Sequence, residues 1–367
     1  MILKILLKSL VLAATALFIC PFNLAGEQLQ GNGGFPPLIE SIRFDRNIVF
    51  CNNEIKLQKQ DVKERLEKEL MLALWNRPQV ILWIKRSAKY FSHIQKILKD
   101  NDLPLDLKYV PLIESGLRPH VSSHRGAVGF WQFMRSTGKR YGLKIDHLVD
   151  ERRNIFKSTS AACRYIRDLK NEFGSYLLAL SAYNMGESAL KRAIKAQETR
   201  DFFSLYLPLQ TQRYIFKILC AKLILENQKD YGFYLKKSDL YPVFAFDRIK
   251  LGSSNRNIPI NLIAKAAQVP FKTVKDYNPE LRGYYLGKGN ISILIPKGKI
   301  KGFSSRFTRY YAQWVKNHKP SRFHIVRSGE SLTGIAKQYR IRLSSLLKLN
   351  HISADRVIHP GDRLVIE

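Results

Sequence analysis

The chain is predicted to be a mainly α domain with minor β structure (α+β), followed by two small βααβ modules. Three observations predict this. Apolar residues recur at helical spacing from residue 59 to residue 226, the texture changes after Asp239 to short strand-like runs and paired short helices, and a segment of that second region recurs once, displaced by 72 residues. A chain of 367 residues also exceeds what one hydrophobic core usually organises. With 45% hydrophobic and 25% charged residues it belongs among ordinary globular proteins, which excludes collagen-like and low-complexity classes.

The elements follow in order. Lys4 and Lys8 precede an apolar stretch over 10–19 that is too short to span a bilayer comfortably, the pattern of an export signal, and cleavage after Ala25 is expected. Two alternatives would tie the chain to a membrane: retention of the segment as an anchor, or a lipid on Cys20, against which Ile19 stands where such signals carry a small residue. Residues 26–77 read as an N-terminal helical extension. Within it Val62, Leu66, Leu70 and Leu74 recur every four positions, a stripe that reads as a packing helix and nothing more. Pro78 suits the first turn of the next helix, whose stripe is Ile81, Ile84, Ala88, Phe91, Ile94 and Leu98, ended by Asn101 and Asp102. Helical patterning continues over 105–114, 155–173 with Gly174 as a stop, 176–196 and 211–226. Residues 78–228 thus form the α-rich domain, and its long irregular stretch lies at 115–137.

In the second region Ile263-Ala264-Lys265 matches Ile335-Ala336-Lys337. The same displacement pairs Val269 with Ile341, Phe271 with Leu343, Val274 with Leu346, Tyr277 with Leu349, Asn278 with Asn350 and Gly289 with Gly361. Modules are placed at 240–298 and 322–367, with 299–321, holding Lys, Arg, Ser and Pro, as the linker between them.

A formal net charge of +31 raises the local concentration of any polyanion. Nucleic acid, an anionic membrane and a cell wall bearing peptide-stem carboxylates all fit, as does a basic surface with no dedicated partner, and the export signal argues against nucleic acid. Cys51, Cys163 and Cys220 would remain after cleavage; they lack metal-ligand spacing and read as small core residues or one optional disulfide. His120 and His124 have the spacing of a helical zinc pair, but Ser122, Ser123 and Gly126 make that stretch a loop. No metal and no other cofactor is expected, and the sequence leaves the oligomeric state open.

Glu114 is the candidate acid/base. Val110 and Leu107 precede it by four and seven positions, which puts it on an apolar stripe at the carboxyl end of its helix. Burial there disfavours the ionised form and raises the pKa, as a general acid near neutral pH requires, and the negative end of the helix pushes the same way. Periodicity alone leaves open a second reading, a glutamate satisfied by an ion pair with one of the many arginines.

Three motifs in order surround this residue: Glu114-Ser115-Gly116; Gly126-Ala127-Val128-Gly129-Phe130-Trp131-Gln132-Phe133-Met134; and Ala182-Tyr183-Asn184-Met185-Gly186. Together they resemble the lytic transglycosylase domain of the goose-lysozyme-like superfamily over about residues 78–228, continued by Asp150-Glu151-Arg152-Arg153 and Ala161-Ala162. The resemblance implies a lysozyme-like catalytic fold and an enzyme that cleaves the β-1,4 bond between N-acetylmuramic acid and N-acetylglucosamine in peptidoglycan. By it, Glu114 protonates the glycosidic oxygen and then deprotonates the muramoyl C6 hydroxyl, closing a 1,6-anhydro ring. It also implies that Ser115 orients the carboxyl or contacts substrate, that Gln132 bonds a sugar, and that Phe130, Trp131, Phe133 and Met134 wall the cleft, with Gly126 and Gly129 allowing tight turns. Asn184 would contact sugar substituents and Tyr183 would line the site. The stretch from Leu207 to Lys217 is similar to a fourth pattern of that family, Leu-Pro-x-Glu-Thr-x-x-Tyr-Val-Pro-Lys, with Gln210 and Phe216 as departures and Tyr214 as a candidate cleft residue.

Glycosidases commonly pair two carboxylates, yet no second acid lies within the three motifs; Asp146, Asp150 and Glu151 come later and folding could return one. Residues 323–367 resemble the LysM glycan-binding module through Val326, Gly329, Leu332, Ile335-Ala336, Leu346, Asn350, Pro360-Gly361 and Leu364-Val365-Ile366, and 240–298 resembles a degenerate copy marked by Asn278-Pro279 and Ile295-Pro296. A helix-turn-helix over 332–350 competes with that reading, but a strand on each side and the export signal favour LysM. The expected partner is therefore a peptidoglycan glycan strand, and the expected place is the periplasm or cell envelope.

Overall fold

The computed structural model describes residues 36–44, 47–254, 257–287, 289–318 and 323–366. The expected export signal, with Cys20 and Ala25, lies outside the described residues. Among the described residues no helix is long and apolar enough to cross a membrane.

A short helix α1 (Leu38–Ser41) and a two-stranded hairpin, β1 (Val49–Phe50) with β2 (Asn53–Glu54), precede α2 (Gln60–Trp75). Val62, Leu66, Leu70 and Leu74 of α2 are buried as the four-residue spacing requires. Asn76 caps α3 (Arg77–Lys99), its side-chain oxygen accepting from Gln79 N at 3.4 Å, with Pro78 in the first turn. On α3 the buried stripe is Val80, Ile84, Ser87, Tyr90, Ile94 and Leu98, and Ile81 is exposed. The face is rotated from the expected one because Tyr90 is drawn inward against Phe130, with ring centroids 5.2 Å apart. The core then takes in α4 (Tyr109–Ser115), α5 (Arg135–Arg140), α6 (Ile155–Phe173), α7 (Tyr176–Met185), α8 (Glu187–Gln197) and α9 (Leu209–Glu226). Patterning suggested one run over 176–196; Gly186, at φ 93°, splits it into α7 and α8 and places Asn184 beside the break. This core runs from Ile48 through Phe244, takes in Leu294 from the first module, and includes Cys51, Cys163 and Cys220.

The irregular stretch at 115–137 is folded back on itself rather than loose. Gly129 N donates to the Val121 carbonyl at 2.9 Å and Val128 N to that of Phe133 at 3.1 Å. A brace holds it from outside: Arg152, paired in the core with Asp150 at 2.8 Å, donates to the carbonyls of Gly126 at 3.0 Å and Phe133 at 3.1 Å. Gly129 is obligatory here, since a Cβ would sit 2.0 Å from the Arg152 carbonyl oxygen at φ +86°. The residues after the second motif, Asp150 to Arg153, thus set the shape of the loop.

The two repeats fold alike. In the first, β3 (Phe246–Ser254) pairs antiparallel with β6 (Gly289–Pro296), and β4 (Ile258–Pro259) with β5 (Tyr285–Leu286), around α10 (Ile260–Ala267) and α11 (Phe271–Tyr277). In the second, β7 (Phe323–Ile325) pairs with β8 (Arg363–Val365) around α13 (Leu332–Gln338) and α14 (Leu343–Asn350). The repeated residues have a shared job. Asn278 bonds both ways with Leu294, Nδ2 to O at 2.7 Å and Oδ1 from N at 2.8 Å, and Asn350 does the same with Val365 at 2.8 and 2.6 Å. Each asparagine clips the second helix to the last strand. Gly289 and Gly361 both take positive φ, 98° and 95°.

Most of the stretch read as the linker, 299–318 among the described residues, is folded onto the first module. Phe303–Asn317 is a helix, α12, with Phe303 buried in the first module and Phe307, Tyr310, Tyr311 and Trp314 packed against it. Their helical spacing was the signal. The first module also docks on the catalytic body: Asp150 N donates to the Glu280 carbonyl at 2.8 Å, Arg282 N to that of Leu148 at 2.7 Å, and Asn154 to the buried Glu280 carboxylate at 2.7 Å.

Candidate active site

Glu114 lies in the last turn of α4, which stops at Gly116 in the left-handed conformation, φ 59°. The turn carries the side chain into a cavity of about 320 Å³ between α2, α3, α4 and α9. Its Oε1 accepts a hydrogen bond from the Tyr214 hydroxyl of α9 at 2.6 Å. Among the described residues Glu114 has no ion-pair partner, so the arginine-paired alternative is not the arrangement seen. Burial pushes its pKa up to about 7, against the Tyr214 hydroxyl, which favours the carboxylate and lowers it. The helix end was expected to add to the rise, but its carbonyls are covered: Arg86 donates to Gly116 O at 3.2 Å and Arg118 to Ser115 O at 3.1 Å. Desolvation is the leading cause.

Tyr183 stands beside this pair. Its hydroxyl donates to the Trp131 carbonyl at 2.6 Å, and burial, then the Glu114 charge, push its pKa well above the usual range. Burial and the same charge do so for Tyr214. Asn184, at the end of α7, accepts from the Thr211 hydroxyl at 3.0 Å, which joins the third motif to α9. Met134 is exposed at the end of the glycine loop. Glu114, Tyr183 and Tyr214 are therefore together, with Asn184 tied to the same helix as Tyr214.

The other expected residues make contacts within the protein. Ser115 borders the cavity beside Glu114, but its side chain is buried, with the hydroxyl 2.8 Å from Phe130 O and 3.0 Å from Pro111 O, so it fastens α4 to the loop. Phe130, Trp131 and Phe133 are core residues, not cleft walls. The loop turns them inward, where Trp131 Nε1 donates to Thr159 Oγ1 at 2.9 Å and Phe133 packs on Tyr165 and Tyr183. Gln132, at φ 49°, uses its amide nitrogen on the carbonyls of Gly129 at 2.8 Å and Val121 at 3.1 Å; those donors shape the loop.

The sequence reading missed the opposite wall of the cavity, made by Glu69, Gln79, Trp83, Arg118, Arg213 and Lys217. Glu69 is a second carboxylate, buried on α2 and ion-paired with Arg213, so α2 does more than pack. A signal for it existed: Glu69 follows Leu66 by three positions and Val62 by seven, which places an acid on a buried stripe just as Glu114 is placed on its own. Among the described residues no group of three or more His, Cys, Asp or Glu side chains is gathered as metal ligands.

Comparison with known proteins bears on this geometry. Residues 91–205 match the transglycosylase SLT domain, 245–312 the LysM-like domain of lytic transglycosylase MltD, and 324–367 the LysM domain. The chain is 30% identical over 330 residues to the membrane-bound lytic murein transglycosylase D of Escherichia coli K12, covering 86% of this chain and 72% of that protein. It is 33% identical over 122 residues to a peptidoglycan transglycosylase of Escherichia phage T7, covering 32% of this chain and 9% of the phage protein. The crystal structure of the 70 kDa soluble lytic transglycosylase of Escherichia coli aligns with a TM-score of 0.34 at 16% identity, covering 48% of this chain and 32% of that one.

Proposed function

The chain belongs to the family of membrane-bound lytic murein transglycosylase D, and on that premise we propose that it cleaves the β-1,4 bond between N-acetylmuramic acid and N-acetylglucosamine without water, with Glu114 as acid and then base. The observation that carries this reading is a half-buried glutamate with no ion-pair partner among the described residues, held by one tyrosine hydroxyl, with its pKa pushed up to about 7. Such a group is partly protonated and partly ionised near neutral pH, so both halves of the reaction are within reach.

In the first half the Glu114 proton moves to the glycosidic oxygen and the bond from that oxygen to muramoyl C1 breaks. In the second, Glu114 as carboxylate takes the proton of the C6 hydroxyl while O6 bonds to C1. The proton count closes and no water is consumed. A tethered hydroxyl reaches an effective concentration of about 10⁵ to 10⁸ M when well oriented, which removes the need for a second carboxylate to activate water. The state of Glu69 supports this route over a hydrolytic muramidase: the second carboxylate of the cavity is committed to Arg213 and is not free to act as a base.

The Tyr214 hydroxyl orients the carboxyl and stabilises its ionised form, while Tyr183 and Asn184 line the approach. The C-terminal module binds chains containing N-acetylglucosamine and raises their concentration at the catalytic body. The place of action is the cell envelope. Mass spectrometry of digested sacculi tests the reading: products lighter by one water at the muramoyl end are expected, and products without that deficit would mean a hydrolase. Sacculus clearing undiminished in Glu114→Gln would mean that Glu114 is not the catalyst, and no clearing by the native chain would mean a wall-binding protein.

A further inference from the structure

Cations gather around the helix end that carries Glu114. Arg86 and Arg118 donate to the neighbouring carbonyls of Gly116 and Ser115, at 3.2 and 3.1 Å. A Cβ on Gly116 would lie 3.2 Å from Arg86 Nη1 and 3.9 Å from Arg118 Nε, so both guanidinium groups converge on one turn. Burial, then the charge of Arg118, lower the Arg86 pKa from its ordinary value. Arg118 lines the same cavity as Glu114, together with Arg213 and Lys217.

Part of this arrangement is helix capping, because cationic donors suit the free carbonyls at a helix end. Capping accounts for one N–H of each guanidinium. It does not account for two like charges on one turn, or for Lys217 lining the same cavity from α9. Among the described residues Arg86, Arg118 and Lys217 have no carboxylate within ion-pair distance, whereas Arg213 is matched by Glu69. With Glu114 in its acid form, Arg118, Arg213 and Lys217 against Glu69 leave an excess of two positive charges on the cavity lining. Unmatched cations inside a concave site next to the reacting group attract an anion that arrives with the substrate.

We propose that Arg118 and Lys217 form a subsite for a carboxylate of the peptide stem carried on the muramoyl residue, with Arg86 adding positive field from behind Gly116. The proposal rests on the transglycosylase reading above and adds a substrate preference to it: glycan with free stem carboxylates is cleaved faster than glycan whose stem carboxylates are masked as amides. Neutral hydroxyl and acetamido groups can accept a hydrogen bond from these donors but leave their charge unmatched, whereas a stem carboxylate neutralises it.

The experiment uses the full chain and soluble glycan strands of matched length, with the stem carboxylates free or converted to primary amides, and reads the ratio of kcat/KM for the two substrates. Because the whole chain is strongly basic, the double variant Arg118→Gln with Lys217→Gln is compared with Lys99→Gln with Lys229→Gln. The control pair is exposed, removes the same charge and touches no part of the cavity. The native chain is expected to favour strands with free stem carboxylates. The cavity variant is expected to lose about threefold to tenfold of that ratio, the span of one or two partly exposed ion pairs, while the control pair keeps it. Lys217→Gln alone, at an exposed position, is the second variant should the double one fail to fold, with about a twofold loss expected. Equal rates on both substrates in the native chain, or a ratio that survives in the cavity variants, overturn the subsite and leave the transglycosylase reading standing. Absence of anhydro products from either substrate overturns both.

Discussion

Replacing Tyr214 with phenylalanine isolates the contact on which the acid/base role of Glu114 turns. The hydroxyl lies 2.6 Å from Glu114 Oε1 and opposes the burial that pushes the carboxyl from 4.5 up to about 7. A hydrogen bond to a charged acceptor contributes about 1.5–3 kcal/mol, and one pKa unit corresponds to about 1.4 kcal/mol. Losing the bond therefore raises the Glu114 pKa by roughly one to two units. The direction follows from the form that accepts the bond: the donor stabilises the carboxylate, so without it the acid persists to higher pH. Proton donation requires the acid, so the alkaline limb of kcat/KM is expected near pH 7 in the native chain and at about pH 8–9 in the variant. The plateau rate falls as well, because the carboxyl is no longer held in one orientation. Release of anhydro-ended fragments from soluble glycan strands, followed from about pH 5 to about pH 10, reads both effects. A limb that stays in place or moves down would refute the reasoning, since either result means that Tyr214 does not stabilise the ionised Glu114.

Three further outcomes are expected. Glu114→Gln lowers the rate by at least about 10² and stabilises the fold at alkaline pH. A carboxyl whose folded pKa is raised from 4.5 to about 7 contributes stability that is present below pH 4.5 and lost as pH rises through 7, so the neutral glutamine recovers up to roughly 3 kcal/mol at high pH and nothing in acid; denaturant melts at both pH values check this. Gly129→Ala loses at least about 2–3 kcal/mol, from a left-handed backbone and a Cβ forced against the Arg152 carbonyl at 2.0 Å, and a thermal melt unchanged from native would contradict the close approach. Ser115→Ala lowers stability by about 1–2 kcal/mol through its lost bonds to the loop and leaves KM in place, because the hydroxyl is buried; a raised KM at unchanged stability would place it on the substrate instead.

The first module occupies a structural position that its repeat does not share. Residues 278–281 of the first copy are buried or nearly so against the catalytic body, while the corresponding residues after Asn350 are largely exposed. Glu280 and Arg282 join the segment that carries the Asp150–Arg152 brace, and that brace shapes the loop packed behind Glu114. Contact thus runs without a gap from the module to the wall of the active site.

Much of this protein is determined by local pattern alone. Helical spacing placed α2, α6 and α9, the 72-residue displacement separated two like modules, and the register of Glu114 with Val110 and Leu107 put an acid where burial raises its pKa. These properties follow from periodicity, which depends only on near neighbours in the chain. Tertiary structure decided the rest. Which face of the glycine loop turns inward depends on Arg152, far along the chain, and it sent Phe130, Trp131 and Phe133 into the core and left Met134 outside. The choice between a free acid and an ion-paired one at Glu114 depended on where every arginine came to rest. Arg213 settled on Glu69, Arg86 and Arg118 on backbone carbonyls, and among the described residues the side chain bonded to Glu114 is that of Tyr214, from 100 residues away. A charge pattern names the candidates for such pairings, but only packing selects among them, because each pairing is set by distances between segments that have no fixed relation along the sequence.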